Sequence, residues 1–193
     1  MPSDRDAGPS RATTSAIDVL LVSGSLRAVS SNGAVLDAVA ALVPPHVRVA
    51  RYDGLADLPA FNPDLDGEGA VPPPPVAQWR SAIAAADAVV ICSPEYAHGV
   101  PGALKNALDW LVSGPDVPGL PVAVVNATTR AHHAHDSLLE TLRTMSADVV
   151  EAASAVEAQA TPPRAPASRV AVPESRPVRG TTRVAPVSTC GNH

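Results

Sequence analysis

Short apolar runs alternate with helix-like segments along most of this 193-residue chain. Four segments are predicted to be strands, and they are Ile17–Ser23, Val47–Tyr52, Ala88–Cys92 and Val122–Asn126, with a final apolar stretch at Asp148–Val156. Four helices are predicted between them, over Gly33–Val43, Val76–Ala86, Ala103–Val112 and Ser137–Met145. Such alternation favours a parallel sheet with right-handed crossovers. We therefore predict an α/β fold, a three-layer sandwich around a five-stranded parallel sheet of order 2-1-3-4-5.

The length and composition favour one domain. A chain of 193 residues with 46% hydrophobic residues is long enough to bury the core of one α/β domain, and too short for two of ordinary size. We expect a flexible leader at residues 1–16, the domain at 17–160 and a disordered Pro- and Arg-rich tail at 161–193. The tail contains six prolines and no helical period. The closing helix is therefore expected to be absent or degenerate, because it was replaced or because the reading frame shifts near Ala160.

Charge, hydropathy and cysteine content exclude several classes of function. The net charge is −5, and the five arginines of the tail leave the rest of the chain more acidic still, which argues against a nucleic-acid substrate. The sequence contains no apolar run long enough to span a membrane, and residues 1–16 lack the apolar centre of a signal peptide. Cys92 and Cys190 do not form a disulfide framework. We expect a cytoplasmic protein with no membrane partner.

A loop rich in hydroxyl groups follows the first predicted strand, and its sequence from residue 23 is SGSLRAVSSN. A helix N-terminus binds anions because free N–H groups and the positive end of the dipole meet there. Arg27 adds a planar cation suited to phosphate oxygens, and Gly24 allows a tight turn. The loop matches neither the GxxxxGK[ST] nor the GxGxxG pattern. These features together suggest a mononucleotide phosphate such as that of FMN.

A second loop follows the third predicted strand. Its sequence is PEYAHGVPGALKNALDW, from Pro94 to Trp110. In an open α/β sheet, ligands bind outside the carboxyl ends of the strands, at the point where the strand order reverses. In the predicted order the first and third strands are neighbours at that point. We therefore expect the loops Ser25–Asn32 and Pro94–Gly99 to line one crevice.

Two motifs, GSLRxxSxN at Gly24–Asn32 and PEYxxGxPGxLKNALDW at Pro94–Trp110, resemble the NADPH-dependent FMN reductase family. These are flavodoxin-like proteins that include FMN, quinone, azo-dye and chromate reductases. The resemblance covers roughly Ile17 to Val150. It implies a flavodoxin-like fold and an oxidoreductase in which NADPH, or NADH, reduces bound FMN. The reduced flavin would then pass electrons to free flavin, a quinone or another small acceptor.

The resemblance also assigns residues to the cofactor. It implies that the FMN phosphate is held by Ser25, Arg27, Ser30 and Asn32. It further implies that the isoalloxazine edge is lined, mostly through backbone groups, by Pro94, Glu95, Tyr96, Ala97, His98 and Gly99. No residue is assigned a catalytic role, because the flavin carries the redox chemistry.

This chain departs from the family pattern in two places. The family usually has Asn after Pro-Glu-Tyr, where this chain has Ala97, and a Gly-rich turn where this chain has Thr128–His135. His132, His133 and His135 do not form a clean three-ligand face, so no metal site is predicted. His98 has two interpretations, a proton donor to a reduced quinone or a packed or solvent-exposed side chain, and the second is favoured.

The segment from Asp53 to Pro75 contains too much proline and glycine to predict regular structure. Within it, Phe61, Asn62 and Pro63 are interpreted as overhanging a cofactor or contacting a neighbouring subunit. The resemblance implies a homodimer or homotetramer. The helix Ala103–Val112 is the expected contact, since it carries three leucines, Leu104, Leu108 and Leu111, beside Lys105 and Asp109.

Two alternatives from other functional classes remain. One is a flavodoxin-type electron carrier that docks a protein partner and has no activity with pyridine nucleotides. The other is a non-catalytic flavin-binding or degenerate protein, which the unusual tail suggests. Oxidation of NADPH with a quinone acceptor separates the reductase from the carrier, and failure to take up FMN favours the degenerate protein.

Overall fold

A computed structural model describes residues 16–67, 69–128 and 132–154. Across these residues the strands are β1 (Ile17–Ser23), β2 (Val47–Tyr52), β3 (Ala88–Cys92), β4 (Pro121–Val125) and β5 (Asp148–Val149). The helices are α1 (Ser31–Leu42), α2 (Pro74–Ala84), α3 (Gly102–Asp109), α4 (His132–Thr144) and α5 (Glu151–Ser154), with two 3₁₀ helices at Gly54–Asp57 and Pro63–Leu65.

The strands form one parallel sheet of order β2-β1-β3-β4-β5. This confirms the predicted flavodoxin-like fold and strand order. Strand β1 pairs with β2 on one side and with β3 on the other, where Ser23 lies opposite Cys92. The ends of β1 and β3 are therefore side by side, and both candidate loops start from that point.

Apolar side chains pack on both faces of the sheet, which makes the three layers. On one face, residues of α2, α3 and α4 form the larger cluster, which includes Trp79, Trp110 and Leu138. On the other face α1 contributes Val35 and Leu36 to a smaller cluster. Each indole N–H is satisfied by a backbone carbonyl, since Trp79 Nε1 donates to Ala107 O at 2.8 Å and Trp110 Nε1 to Pro59 O at 2.9 Å.

Two elements near the end of the domain differ from their predicted bounds. Helix α4 begins at His132, five residues before the predicted Ser137. Ala134, Leu138 and Leu142 are buried at four-residue spacing, and the histidines on either side of Ala134 hide this period in the sequence. Strand β5 has only two residues, and α5 follows it. There Ser154 Oγ accepts a hydrogen bond from Val124 N at 3.0 Å, so a hydroxyl satisfies an amide that a longer strand would pair.

The segment after β2 contains two 3₁₀ helices, so the prediction that it lacks regular structure was wrong in part. It is tied to α3 by Asn106, whose Oδ1 accepts from Phe61 N at 2.8 Å and whose Nδ2 donates to Pro59 O at 2.9 Å. The Phe61 ring meets Trp110 edge to face, with centroids 5.0 Å apart. Phe61 therefore packs within its own chain, on the apolar cluster, and is not a free overhang.

Helix α3 buries the leucines that were expected to form a subunit contact. Leu104, Leu108 and Leu111 are at most 4% exposed and pack in the core, so that part of the oligomer prediction was wrong. Their spacing is that of a core-facing stripe, which sequence alone does not distinguish from an interface. On the outer side of the helix Lys105 and Asp109 form an i,i+4 ion pair.

The predicted leader, apart from Ala16, and the predicted tail at 161–193 lie outside the described residues, as does any helix after Ser154. The predictions about them stay predictions. No helix in the described ranges is long and apolar enough to cross a membrane.

Candidate functional site

The β1–α1 loop (Gly24–Ser30) and the β3–α3 loop (Pro94–Gly99) start in direct contact. Gly24 N donates to Cys92 O at 2.8 Å. A Cβ on Gly24 would lie 2.9 Å from Ser93 Oγ and 3.2 Å from Ser93 Cα. Gly24 is therefore needed for the close approach of two backbones, in addition to the turn that the sequence suggested.

The β1–α1 loop is stabilised by its own hydroxyl groups. Ser25 N donates to Ser23 Oγ at 3.2 Å, and Arg27 N donates to Ser25 Oγ at 3.3 Å. Ser30 is the N-cap of α1, and its Oγ accepts from Gly33 N at 3.0 Å. These contacts fix the loop before any ligand binds, since the serines satisfy backbone amides that the loop would otherwise leave open.

The N-terminus of α1 remains open toward an anion. Its first turn contains no acidic residue. The first amides of a helix have no intrahelical acceptor, and here these are Ser31 and Asn32. Arg27 is exposed beside them, without an ion-pair partner among the residues that the structure describes. An amide-lined helix terminus and an unneutralised guanidinium together favour a negatively charged ligand.

The side chain of Asn32 lies elsewhere. It is 4% exposed, and its Oδ1 accepts from the thiol of Cys92 at 3.3 Å. Burial raises the pKa of that thiol to about 12, so it stays protonated and serves as the donor. The Asn32 side chain thus joins α1 to β3, which leaves its backbone amide as the group that faces the helix terminus.

An open cleft of about 560 Å³ adjoins the β1–α1 loop. Ser25, Arg27 and Ser30 line it from the loop, and the end of β2 contributes Arg51 and Tyr52. The residues of the β3–α3 loop are not among those that line it. The crevice predicted to hold both loops is thus shared where the loops start, while the large cleft extends toward β2.

Arg51 was missed by sequence reasoning. It belongs to the second predicted strand, and no motif marks it. Its place beside α1 follows from the sheet register, in which Arg51 pairs with Leu21 of β1. Only the strand order β2-β1-β3 brings this side chain to the β1–α1 loop.

The β3–α3 loop closes on itself in a tight turn. Tyr96 N donates to Gly99 O at 3.2 Å and Gly99 N to Tyr96 O at 3.0 Å. The two residues between them, Ala97 and His98, have φ of 50° and 59°. Hairpin turns with two positive φ values favour Asn and Gly, which explains physically why Asn suits the position that Ala97 occupies.

Glu95 connects this turn to α4. One carboxylate oxygen accepts from Ala134 N at 2.9 Å, near the N-terminus of that helix. This hydrogen bond, followed by the charges of nearby histidines, holds the pKa of Glu95 below its usual range. The ring of His133 lies 4.3 Å from that of His98 and 4.2 Å from that of His132. In the described part of the chain no group of side chains is arranged to hold a metal ion.

This chain is similar to known flavin and quinone reductases. Residues 17–161 match the family described as NADPH-dependent FMN reductase. An NAD(P)H-dependent FMN reductase of Pseudomonas aeruginosa is 40% identical over 114 residues, which cover 58% of this chain and 60% of that protein. A quinone reductase of Escherichia coli K12 is 39% identical over 110 residues, covering 56% and 58%. The chain thus spans about three fifths of the length of these curated relatives.

Solved structures agree on the fold. The flavoenzyme FerB of Paracoccus denitrificans, an NAD(P)H:(acceptor) oxidoreductase, superposes with a TM-score of 0.61 at 27% identity, covering 69% of this chain and 74% of its own. An azoreductase of Bacillus anthracis gives a TM-score of 0.55 at 18% identity, covering 69% and 84%. The second likeness shows the fold alone.

Proposed function

Because this chain belongs to the NADPH-dependent FMN reductase family, we propose that it is an FMN-dependent NAD(P)H oxidoreductase with a small-molecule electron acceptor. Free flavin and quinones are the acceptor classes that fit best, since relatives that are 40% and 39% identical to this chain over the matched residues are named for FMN and quinone reduction. The observation that carries the proposal is the open N-terminus of α1, with Arg27 unneutralised beside it among the described residues.

The residues present fit the phosphate of FMN. Arg27 and the amides of Ser31 and Asn32 would supply the charge and the donors, and the cap at Ser30 holds the first turn of α1 in place. Ser25 is nearly buried and would act chiefly by fixing the loop, because its Oγ already accepts from Arg27 N. Asn32 would contribute through its backbone, since its side chain is bonded to Cys92.

The β3–α3 loop would line the edge of the isoalloxazine. Pro94 and Glu95 begin it, Ala97 and His98 form its tip, and the paired backbones of Tyr96 and Gly99 hold its shape. When bound there, FMN would supply the two-electron redox chemistry of an NAD(P)H oxidoreductase. The chain itself would position the ring and limit solvent access to it, with no side chain required as a nucleophile. The exposed ring of Tyr96 is available to contact a planar ligand.

One experiment tests the proposal against both alternatives. The purified protein is stripped of flavin, reloaded with FMN and followed by its visible absorption under anaerobic conditions as NADPH is added. A reductase takes up FMN, loses the oxidised flavin absorption with NADPH and oxidises NADPH continuously once a quinone is supplied. A carrier binds FMN yet is not reduced by NADPH or NADH, and a degenerate protein binds no FMN. Either of the last two results contradicts the proposal.

The same family membership supports two further proposals about context. We propose a cytoplasmic protein that assembles as a homodimer or homotetramer. The buried leucines of α3 do not support this assembly, but the outer side of that region exposes Val112 near Lys105 and Asp109. Light scattering at working concentration tests it, and a mass near 19.6 kDa would show a monomer.

A further inference from the structure

A second arginine, contributed by β2, lies against the N-terminus of α1. A Cβ on Gly33, in the first turn of α1, would lie 3.0 Å from Arg51 Nη2 and 3.3 Å from Ser30 Oγ. The guanidinium of Arg51 is therefore packed beside the cap of the helix and lines the same cleft as Arg27. Gly33 makes this possible, because any larger residue would contact the guanidinium.

The position of Arg51 is electrostatically unusual for a residue with a purely structural role. Cations stabilise the C-terminus of a helix, and at the N-terminus a positive charge opposes the helix dipole. Arg51 is held there by two carboxylates, Asp37 at 2.5 Å and Asp53 at 3.6 Å. Those carboxylates are 73% and 82% exposed, so water and salt screen both ion pairs and they contribute little to stability.

Arg51 itself is more confined than its partners. Its side chain is 31% exposed, and it extends from a strand that is paired with β1 along its whole length. A cation fixed on a strand loses less conformational entropy on binding a ligand than one on an exposed loop. Arg27 and Arg51 therefore differ in kind: the first is a free cation on the loop, and the second is a positioned cation behind the helix cap.

We infer that Arg51 is a further phosphate-binding residue, which makes the site selective for a flavin carrying a phosphomonoester over an unphosphorylated flavin. The inference rests on the proposed function, since it concerns the same site. The phosphomonoester would take the place of exposed carboxylate contacts on the guanidinium. Asp37, which also lines the cleft, opposes the ligand by like charge.

The test compares the dissociation constants of FMN and of riboflavin for the flavin-free protein, measured by quenching of flavin fluorescence. Three variants are needed: Arg51→Gln, Arg48→Gln and Asp37→Asn. Arg48 is the matched control, because it lies on the same strand, pairs with Asp18 and does not line this cleft. Inorganic phosphate, titrated against bound FMN, provides a probe of the phosphate contact that does not depend on the flavin ring.

If Arg51 binds the phosphate, Arg51→Gln should raise the dissociation constant of FMN about tenfold and leave that of riboflavin unchanged. Inorganic phosphate should also compete less well with FMN for this variant. Arg48→Gln should change none of these, and Asp37→Asn should tighten FMN by about two- to fivefold as the repulsion is removed. A structural ion pair predicts instead that Arg51→Gln and Asp37→Asn both lower the melting temperature and leave the FMN-to-riboflavin ratio unchanged, which would overturn the inference.

Failure of the proposed function gives a different result. If the unmodified protein binds neither FMN nor riboflavin, the proposed function fails and the inference falls with it. If the unmodified protein binds FMN and Arg51→Gln binds it equally well, the proposed function stands and only the assignment of Arg51 is wrong.

Discussion

The loops that follow β1 and β3 start 2.8 Å apart, at the hydrogen bond from Gly24 N to Cys92 O, yet they use their polar groups in opposite ways. The β1–α1 loop satisfies its own amides with serine hydroxyls and leaves Arg27 exposed. The β3–α3 loop pairs its backbone within the turn and bonds its acidic side chain to α4. The first loop is thus arranged to bind a charged group, and the second to keep a shape.

The two loops should therefore have different roles in the site. Affinity for a phosphate should depend on the β1–α1 loop, where donors and charge are open. The outline of the site should depend on the β3–α3 loop, where the amides of Tyr96 and Gly99 are paired within the turn. Removing the open charge of the first loop should therefore change binding more than stability, and substitutions at the turn of the second loop should change stability more than binding.

The largest effect is expected for Arg27→Ala. It removes charge-assisted hydrogen bonds worth about 1.5–3 kcal/mol, so the dissociation constant of FMN should rise about ten- to a hundredfold. The melting temperature should not change, because Arg27 has no ion pair among the described residues. Fluorescence titration of the flavin-free protein measures the first quantity. Arg143→Ala, which removes a surface pair with Glu151, is the control and should leave FMN affinity as it was.

Gly24→Ala tests the junction between the two loops. The new methyl group would meet the backbone of Ser93 as well as its hydroxyl, and this overpacking should cost about 1–3 kcal/mol of unfolding free energy. Urea denaturation measures the loss. Gly102→Ala is the matched control, since a Cβ on Gly102 meets nothing within 4 Å and alanine is the better helix former. Equal stability of the Gly24 variant and the original protein would show that the loops do not depend on this contact.

Ala97→Gly, in the turn of the β3–α3 loop, should increase stability, in contrast to Gly24→Ala. Ala97 has φ of 50°, a left-handed conformation that glycine adopts without strain. We expect a gain of about 0.5–1 kcal/mol in unfolding free energy, the relief of strain being partly offset by the entropy of glycine in the unfolded chain. Ala28→Gly, in the β1–α1 loop at negative φ, should instead lose about 0.4–1 kcal/mol. FMN affinity should stay the same in the Ala97 variant.

The smallest effect is expected for Glu95→Gln, because the carboxylate is accessible to solvent. The pKa of Glu95 is lowered in the folded protein, chiefly by the hydrogen bond from Ala134 N. Its stabilising effect is therefore present above the pKa of the unfolded chain and is lost as the pH falls through the folded value. The melting temperature of the variant should lie below that of the original protein at about pH 6, and the gap should close as the pH falls through the lowered pKa of Glu95.

A constant gap across that range would mean that the charge of Glu95 has no part in holding the turn to α4. A gap that widens on acidification would point to the histidines around Glu95 instead. Glu140→Gln, on an exposed part of α4, serves as the control for a general change in surface charge.

Much of the architecture followed from local pattern. The strands β1, β2 and β3 have the predicted bounds. For β1 and β3 the reason is that buried parallel strands form continuous apolar runs that end abruptly at polar loops. Strand β2 lies at the edge of the sheet and has two arginines among its apolar residues. Helix ends were less accurate, and α4 was the worst, since its histidine-rich first turn shows no apolar period. The motif loops were placed correctly at strand ends, because their Ser, Gly and Pro residues interrupt both the helical and the strand pattern of apolar residues.

The local sequence pattern did not predict side-chain contacts between distant parts of the chain. The sequence identified Glu95 as a member of a loop, but its bond to Ala134 crosses 39 positions of chain. The resemblance assigned Asn32 to the FMN phosphate, while burial against Cys92 decided where its side chain lies. The leucine spacing of α3 was interpreted as a subunit contact, but in the fold these side chains are buried in the core against the sheet.

The sequence alone therefore determined the order of elements and the parallel sheet, because periodicity and turn residues act over a few positions. Its two loop motifs carried the resemblance to the FMN reductase family. The tertiary structure decided that Arg51 joins the β1–α1 loop, that Glu95 holds a turn to α4 and that the large cleft extends toward β2. The physical reason is the same in each case: these contacts join residues that lie far apart in the sequence, so they depend on how the strands are ordered and aligned in the sheet and not on the spacing of residues within one segment.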